Sequence, residues 1–277
     1  MATITTTSNA RGWAPDFAVP AGDAVPQSLI VQAATFAGDI EGDAPAVDVV
    51  FVDDAAAGFV PEGGAITESD PGLAEVRIYT GKVAQLVRVS REQAAQINAA
   101  RLLSESVSRA VTRAADAAFI AQTAPTPPQV TPPAGLLNVP GILAGAVTGD
   151  LDGLIDLAAQ IAGNNGQASH VILAPTSWAT LRKLKDGTGR SLLGAGTDDA
   201  VPALLGLPVL ISPAVPAGMG LLIDKTAVAA AWGALNVTTS EHAYFGYDSI
   251  GLRCTWRFGA NLVPPNRCAK FTVDAGK

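Results

Sequence analysis

The chain of 277 residues is 48% hydrophobic and 16% charged, so it is long and apolar enough for one large or two modest hydrophobic cores. A formal net charge of -7 argues against tight nucleic-acid binding through phosphate contacts, which needs clustered lysine and arginine, and leaves only loose contact with DNA open. The two cysteines, Cys254 and Cys268, are too few for a disulfide framework or a structural zinc site, and they predict reduced thiols.

The N-terminal segment, residues 1–44, is rich in Thr, Ala, Gly, Pro and Asp and predicts an extended arm. Short apolar pieces at residues 28–31 and at Phe36 interrupt it. The first 20 residues lack a basic region followed by an apolar core, and no run in the chain approaches about 18 apolar residues. Neither secretion nor a membrane span is therefore predicted, and the protein is expected to fold in the cytoplasm.

Strand signals flank a long polar connection between residues 47 and 89. Residues 47–52 (VDVVFV) predict an apolar strand, and residues 75–80 and 83–89 offer it partners rich in β-branched side chains. A connection of this length without its own apolar core is unusual inside a compact domain, so we expect it to find its partner on another copy of the chain. The connection, residues 53–74, contains acids but no basic residue, and these acids are Asp53, Asp54, Glu62, Glu68 and Asp70.

One long amphipathic helix is predicted to follow. Ser90 and Gln93 have the spacing of a capping box, in which each side chain accepts a hydrogen bond from the backbone N–H of the other. Arg101, Glu105 and Arg109 are spaced for i,i+4 ion pairs on a solvated face. A proline-rich stretch ends the helix, which would be about 50 Å long at ~1.5 Å per residue. Its buried stripe is expected to hold Ile97, Ala100, Leu103, Val107, Ala110, Val111, Ala114 and Ala118.

From residue 135 helix and strand signals alternate and predict a second, mixed domain. Residues 152–162 (DGLIDLAAQIA) predict a helix that the GNNG sequence ends. Another helix follows, with Thr176 or Ser177 as its cap. The strands expected in this part and at the C-terminus are residues 170–173, 208–211, 220–223, 228–232 and 268–273.

Residues 249–258 alternate strictly between apolar and polar side chains. Such alternation predicts a strand with one buried face and one polar face. Arg253 and Arg257 fall on the polar face. The buried face is expected to hold Ile250, Leu252, Cys254, Trp256 and Phe258.

The chain offers no constellation typical of an enzyme. Its only histidines, His170 and His242, stand outside any metal-ligand spacing, and we expect structural roles for both. The glycine-rich stretch KDGTGRSLLGAG lacks the phosphate-binding patterns GxGxxG and GxxxxGK[ST]. A soluble α/β enzyme with its site in residues 150–235 would need convergent polar side chains that we do not find. We therefore predict a protein that is not an enzyme, with no catalytic residues, no cofactor and no metal site.

Motifs from several parts of the chain occur together, and in the same order, in one known family. The first runs from Glu62-Gly63 through Ile66, Ser69, Leu73 and Val76 to Lys82, Ala84, Val87 and Val89-Ser90. The others are residues 181–193 (LRKLKDGTGRSLL), 204–212 (LLGLPVLIS) and 245–258. In this combination, which spans residues 45–273, the chain resembles the major capsid proteins of tailed bacteriophages with the Hong Kong 97-type fold.

The resemblance implies an α+β fold of the Hong Kong 97 type. Its parts would be an N-terminal arm, an extension-loop β-hairpin, a long spine helix, and peripheral and axial domains. The implied boundaries are the arm at 1–44, the extension loop at 45–90, the spine helix and linker of the peripheral domain at 91–133, the axial domain at 134–235, peripheral-domain strands at 236–258, and a C-terminal strand returning to the axial domain at 259–277.

The function implied is that of a shell protein that self-assembles into pentamers and hexamers of an icosahedral head enclosing double-stranded DNA. The expected partners are other copies of itself, a scaffolding protein, a portal, loosely contacted DNA, and a decoration or minor capsid protein, with no membrane. Some relatives carry a fused scaffold as a long helical front segment. The chain lacks one, so the scaffolding protein is expected to be separate, or that segment to have been removed. The protein is expected in the virion head shell, assembled in the cytoplasm of a bacterial host.

The resemblance also implies where subunits touch. Glu62, Glu68 and Asp70, at the tip of the extension loop, would contact a neighbouring subunit. Arg253 and Arg257 would make inter-subunit or peripheral-domain contacts.

A covalent crosslink between subunits is not predicted. Some relatives join subunits through an isopeptide bond between an extension-loop Lys and a peripheral-domain Asn. In this chain residues 53–76 contain no Lys, and Asp248 occupies the position of the Asn. A carboxylate cannot release ammonia in the way that the amide does.

The alternative function is that of an encapsulin-type protein nanocompartment. Such a shell has the same fold and holds a protein cargo instead of a genome. DNA content and a portal vertex in purified particles would distinguish the two.

Overall fold

A computed structural model gives the protein a mixed helix and sheet architecture, which confirms the predicted α+β class. It describes residues 16–19, 28–40, 43–53, 59–60, 62–63, 72–94, 99–185, 188–193 and 202–274. The helices in these stretches are α1 (Leu29–Ala33), α2 (Arg91–Ala94), α3 (Ala99–Ala121), α4 (Asp152–Gly163) and α5 (Pro175–Arg182). The strands are β1 (Asp16–Val19), β2 (Thr35–Gly38), β3 (Ala46–Asp53), β4 (Gly72–Tyr79), β5 (Gly81–Ser90), β6 (Leu143–Thr148), β7 (His170–Leu173), β8 (Ala203–Leu204), β9 (Leu207–Ile211), β10 (Met219–Ile223), β11 (Val228–Trp232), β12 (Leu235–Tyr244), β13 (Ser249–Leu262) and β14 (Ala269–Asp274).

The first sheet is built around β13, the strand predicted from the alternating sequence. β5 runs antiparallel along one edge of β13, while β11 and β12 pair with successive parts of the other edge. β1 pairs with β12 and β2 with β11. The strand continues past its predicted end at Phe258 to Leu262. Its predicted inner face is confirmed, because the side chains of Ile250, Leu252, Cys254, Trp256 and Phe258 are all buried.

Helix α3 packs against the inner face of this sheet along one stripe. Val107, Val111, Ala115 and Phe119 recur at intervals of four and are buried. The predicted stripe is right at Val107 and Val111 and wrong at Ala114, which is exposed. The large ring of Phe119 takes an interior position near the end of the helix, and this turns the buried stripe by one residue.

The helix predicted to start at residue 90 is described as two pieces, α2 and α3. Residues 95–98 and the Gln93 side chain of the predicted capping box lie outside the described residues. At the other end α3 stops at Ala121, and Asn138 Nδ2 donates hydrogen bonds to the carbonyl oxygens of Ala121 (3.1 Å) and Gln122 (2.8 Å). These bonds satisfy carbonyls that lack a partner within the helix, so the chain after α3 folds back against the helix end.

Residues 29–33, within the predicted extended arm, form helix α1 and not extended chain. Leu29 and Ala33 of α1 are buried in the same core as α3, and β2 then joins the first sheet in parallel with β11. Asp116 of α3 accepts hydrogen bonds from Ser28 Oγ (3.0 Å) and Leu29 N (2.8 Å). Burial raises the pKa of Asp116, although both bonds oppose the shift. The Asp116 carboxylate thus caps the start of α1 from a distant element, and a local sequence pattern cannot reveal such a cap.

The second sheet has the strand order β6-β14-β10-β7-β9-β8 and mixes parallel with antiparallel pairs. Helices α4 and α5 cover one of its faces through Leu154, Leu157 and Leu181. Ile172 and Leu221 point to the opposite face and belong to the core of the first sheet. The two sheets therefore share a continuous apolar interior.

Local signals predicted most elements of this half. The strand at residues 170–173 and the helix beginning at Asp152 are confirmed. The predicted caps of α5, Thr176 and Ser177, are wrong, because α5 already begins at Pro175, whose fixed φ favours the first helical position. The Ser177 hydroxyl instead donates to the Met219 carbonyl oxygen (2.8 Å).

Strands β3 and β4 form a separate antiparallel hairpin, paired from Ala46 with Tyr79 to Asp53 with Gly72. Of the two partners predicted for residues 47–52, the one in β4 is confirmed and the one in β5 is wrong, since β5 pairs with β13. Each strand has eight residues, so the hairpin is about 27 Å long at ~3.4 Å per residue. Within the described residues it pairs with no third strand.

Candidate functional site

The outer part of the β3–β4 hairpin exposes apolar side chains. Val50 is 58% exposed, and Phe59, in the connection beyond β3, is fully exposed. Of the predicted tip contacts, Glu62 is exposed in a turn, and Glu68 and Asp70 lie outside the described residues. Exposed apolar groups rimmed by charge are typical of a surface that another protein covers.

The base of the hairpin is joined to the first sheet by Asp43, Thr80, Lys82 and Arg257, which we call the base cluster. Arg257 Nη1 donates to Thr80 Oγ1 (2.8 Å) and to the carbonyl oxygen of Ala44 (3.3 Å). Lys82 Nζ lies 2.7 Å from Asp43 Oδ2, and Arg257 Nε lies 3.4 Å from Asp43 Oδ1. The hydrogen bond from Lys82, helped by the charges of Lys82 and Arg257, holds the pKa of Asp43 below its usual range. The cluster therefore ties both ends of the hairpin to β5 and β13.

Strand β13 passes very close to the hairpin beside this cluster. A Cβ atom on Gly259 would overlap the carbonyl oxygen of Tyr79 and would lie 3.1 Å from Ile78 Cγ2. Ile78 is completely buried, and Asn261 Nδ2 donates to the Arg77 carbonyl oxygen (3.4 Å). The base of the hairpin is thus packed against the body of the subunit, while its outer part is exposed.

The two arginines predicted as contact residues do different things. Arg253 is exposed, and its Nε donates to Thr238 Oγ1 (3.2 Å) on β12. Arg257 belongs to the base cluster. Because four strand residues separate them by about 13 Å, they do not form one site.

A second exposed surface, which sequence reasoning missed, lies at the turn between β12 and β13. Phe245 is 82% exposed and Tyr247 is 71% exposed. The guanidinium of Arg88 lies 5.0 Å from the ring centre of Tyr247, which is a cation–π contact. Asp248 ends the turn in the left-handed conformation (φ 44°), and its Oδ1 lies 2.8 Å from Arg91 Nε. The aromatic sequence YFGY between two strands was the available signal.

The other titratable side chains of the described residues show no sign of a reactive site. Among the described residues no group of His, Cys, Asp and Glu is arranged to hold a metal ion, and no helix is both long and apolar enough to cross a bilayer. His170 Nδ1 lies 3.0 Å from Ser169 Oγ, and burial, aided by the charge of Lys225, lowers the pKa of His170. Burial raises the pKa of the Cys254 thiol to about 11 and that of Cys268 to about 12, so both thiols are protonated at neutral pH.

Known proteins share both the sequence pattern and the fold. The sequence matches the Phage capsid family over residues 25–273. No curated protein sequence matches the chain significantly.

Several solved structures superpose on most of the chain. The capsid of a native GTA particle has a TM-score of 0.69 at 20% identity, covering 89% of this chain and 90% of that chain. A structure from Gordonia phage Cozz has a TM-score of 0.69 at 18% identity, with coverages of 89% and 86%. One from Microbacterium phage Oxtober96 has a TM-score of 0.70 at 16% identity, with coverages of 89% and 91%. These likenesses confirm the expected capsid fold.

The matched family and these structures are those of phage and GTA capsids, which favours a phage shell over the encapsulin alternative. The family is a structural one, and membership in it makes the protein a self-assembling component of the virion head shell. With a sequence match over most of its length and the same fold along nearly the whole chain, this protein belongs to the phage capsid family.

Proposed function

We propose that the protein assembles into pentamers and hexamers that close an icosahedral head around double-stranded DNA, with each β3–β4 hairpin lying across a neighbouring subunit. The observation that carries the proposal is the hairpin itself. Its base is packed against the body at Ile78, whereas Val50 and Phe59 farther out are exposed. A two-stranded hairpin is only marginally stable in water, so covering these groups with a neighbour stabilises both partners.

The two sheets support a division into domains of the subunit. We assign the first sheet with α3 to the peripheral domain, and the second sheet with α4 and α5 to the axial domain. The hairpin is the core of the extension loop. Strand β5 lies within the predicted extension loop, and β11 lies within the predicted axial domain. Both strands pair with β13 in the first sheet, so this assignment places them in the peripheral domain.

The net charge of -7 supports loose contact with the packaged DNA, because a tightly bound polyanion would need a concentrated basic surface. A scaffolding protein, a portal and a decoration or minor capsid protein complete the proposed set of partners. Assembly in the cytoplasm of a bacterial host belongs to the same proposal. The contacts predicted for Glu62, Glu68, Asp70 and Arg253 are also part of this proposal.

Sedimentation of the purified protein tests the proposal directly. The unaltered chain should form megadalton particles or capsomers, and a variant in which a short Gly-Ser turn replaces residues 54–71 should stay unassembled. Because that deletion spares the packed base, the unassembled variant should unfold at nearly the parental temperature. A particle population equal to the parental one in the deletion variant would contradict a role for the hairpin, and a small oligomer from the unaltered chain would contradict the shell.

Assembled shells should hold no covalent link between subunits. Residues 53–76 contain no Lys, and the carboxylate of Asp248 is paired with Arg91 of its own chain. Boiling particles in SDS should therefore release only the monomer of 28.1 kDa. A ladder of multiples that survives boiling and reducing agent would refute this prediction.

Particle contents separate the phage head from the nanocompartment. Particles purified from infected cells should contain double-stranded DNA and one vertex occupied by a portal. Particles filled with a protein cargo and free of DNA would support the alternative.

A further inference from the structure

We propose that Arg257 is a positioning residue for assembly: with Asp43, Thr80 and Lys82 it forms an ionic joint that sets the direction of the hairpin relative to the first sheet, and thereby the curvature of the shell. The inference rests on the proposed function, since direction matters only if the hairpin lies across a neighbour. It concerns a joint within one subunit and not the contact between subunits.

The joint holds both strands of the hairpin at once. Asp43 and Ala44 precede β3, and Thr80 follows β4, so the chain enters and leaves the hairpin between these residues. The Thr80 hydroxyl donates to the Ala44 carbonyl oxygen (2.6 Å), and Arg257 donates to both of these groups. One guanidinium on β13 thus bonds to the entering and the leaving segment.

Asp43 ties the same point to a second strand of the sheet. Its Oδ2 is paired with Lys82 on β5, while its Oδ1 faces Arg257 on β13. The residue lies in the left-handed region with φ of 63°, where the chain turns towards β3. The carboxylate is therefore held from two neighbouring strands, and it resists rotation of the hairpin about either one.

Arg257 Nε is buried and lies 3.4 Å from Asp43 Oδ1, so the carboxylate faces a cation that is mostly withdrawn from water. Removing the Asp43 charge would leave this cation without its counter-charge, which would loosen the joint.

The length of the hairpin amplifies any change at its base. A rotation of about 10° moves the end of a ~27 Å strand pair by about 5 Å, roughly the spacing between neighbouring strands. That displacement is enough to lose a specific contact on the adjacent subunit. Because every subunit repeats the same angle, the error is multiplied around the shell.

Charge-removing variants test the joint. Arg257→Gln keeps a polar side chain but removes the cation, and Asp43→Asn removes the anion while keeping a residue that tolerates the left-handed conformation. We expect each to lower the yield of closed shells of parental diameter by about tenfold, with open or wrongly sized particles in their place. Arg257→Lys keeps the charge beside Asp43 and should restore the yield to within about threefold of the parent.

Arg77→Gln is the matched control, because it removes a positive charge from the hairpin at a residue outside the base cluster. Arg77 pairs with Asp48 across the two strands, at 2.7 Å, and is 57% exposed. This variant should give the parental number and diameter of shells. Diameters are measured by electron cryo-microscopy, and the unfolding temperature of unassembled subunits is measured in parallel.

The outcomes separate the two proposals. The proposed joint would be refuted if Arg257→Gln and Asp43→Asn both gave shells of parental yield and diameter, or if Arg77→Gln lowered the yield equally. Neither result would contradict the proposed shell function. Failure of the unaltered chain to form either shells or capsomers would instead overturn the proposed function. If Arg257→Gln fails to fold, Asp43→Asn decides, since a well-folded Asp43→Asn subunit that forms normal shells refutes the joint.

Discussion

Replacing Gly259 with alanine should abolish the formation of normal shells. The added Cβ would occupy the space of the Tyr79 carbonyl oxygen and crowd Ile78 at 3.1 Å from its Cγ2. A backbone carbonyl within a paired strand cannot step aside as the end of a side chain can, so the base of the hairpin must lift from β13. Overpacking of this kind costs about 1–3 kcal/mol and shifts the backbone, and the hairpin would then leave the body in a different direction.

Gly251→Ala provides the control on the same strand. Its Cβ would lie 3.3 Å from Cε2 of the Tyr244 ring, which can turn away. Particle counts and diameters from electron cryo-microscopy should therefore be parental for Gly251→Ala and reduced to less than about one tenth for Gly259→Ala. Normal shells from Gly259→Ala would show that the close approach to Tyr79 does not fix the hairpin.

Truncating Trp256 to alanine should cause the largest loss of subunit stability, about 3–5 kcal/mol in the free energy of unfolding. The indole is 1% exposed in the core between the first sheet and α3, and its ring packs 5.2 Å from that of Phe258. Its Nε1 donates a hydrogen bond to the Gly233 carbonyl oxygen (3.0 Å). Urea unfolding of unassembled subunits measures the loss.

Trp256→Phe separates packing from the hydrogen bond. Phenylalanine retains most of the apolar surface but leaves the Gly233 carbonyl without its donor, which costs about 1–3 kcal/mol. We therefore expect the free energy of unfolding of Trp256→Phe to lie between those of the parent and of Trp256→Ala. A loss below about 1 kcal/mol for Trp256→Ala would contradict the central place of this residue in the core.

Local patterns were sufficient wherever burial follows a regular period. The alternation along β13 and the burial of Val107 and Val111 on α3 were visible in the sequence because burial there follows the period of the strand or helix, whereas Ala115 and Phe119 were missed. The strand β7 was likewise visible as a short apolar run between turn signals. The resemblance to capsid proteins then supplied the overall fold.

Local patterns miss elements that depend on distant partners, although the resemblance to capsid proteins placed strands at residues 236–258, which include most of β12. β6 (LAGAVT) is made of small residues and β12 (LNVTTSEHAY) is largely polar, so neither shows the signal of a buried strand. The helix α1 has five residues and is held by Asp116 of α3. The base cluster was invisible for the same reason, because the positions of Asp43 and Arg257 in the sequence say nothing about their ion pair.

The burial of the two thiols affects how the particle resists oxidation outside the cell. If the head is assembled in the host cytoplasm, as proposed above, it is built among reducing metabolites and then persists in aerated surroundings, where exposed thiolates oxidise and exchange. Cys254 and Cys268 are shielded in the interior, and their high pKa values keep them in the unreactive protonated form. A shell made of such subunits can pass from one redox environment to the other without acquiring new covalent bonds.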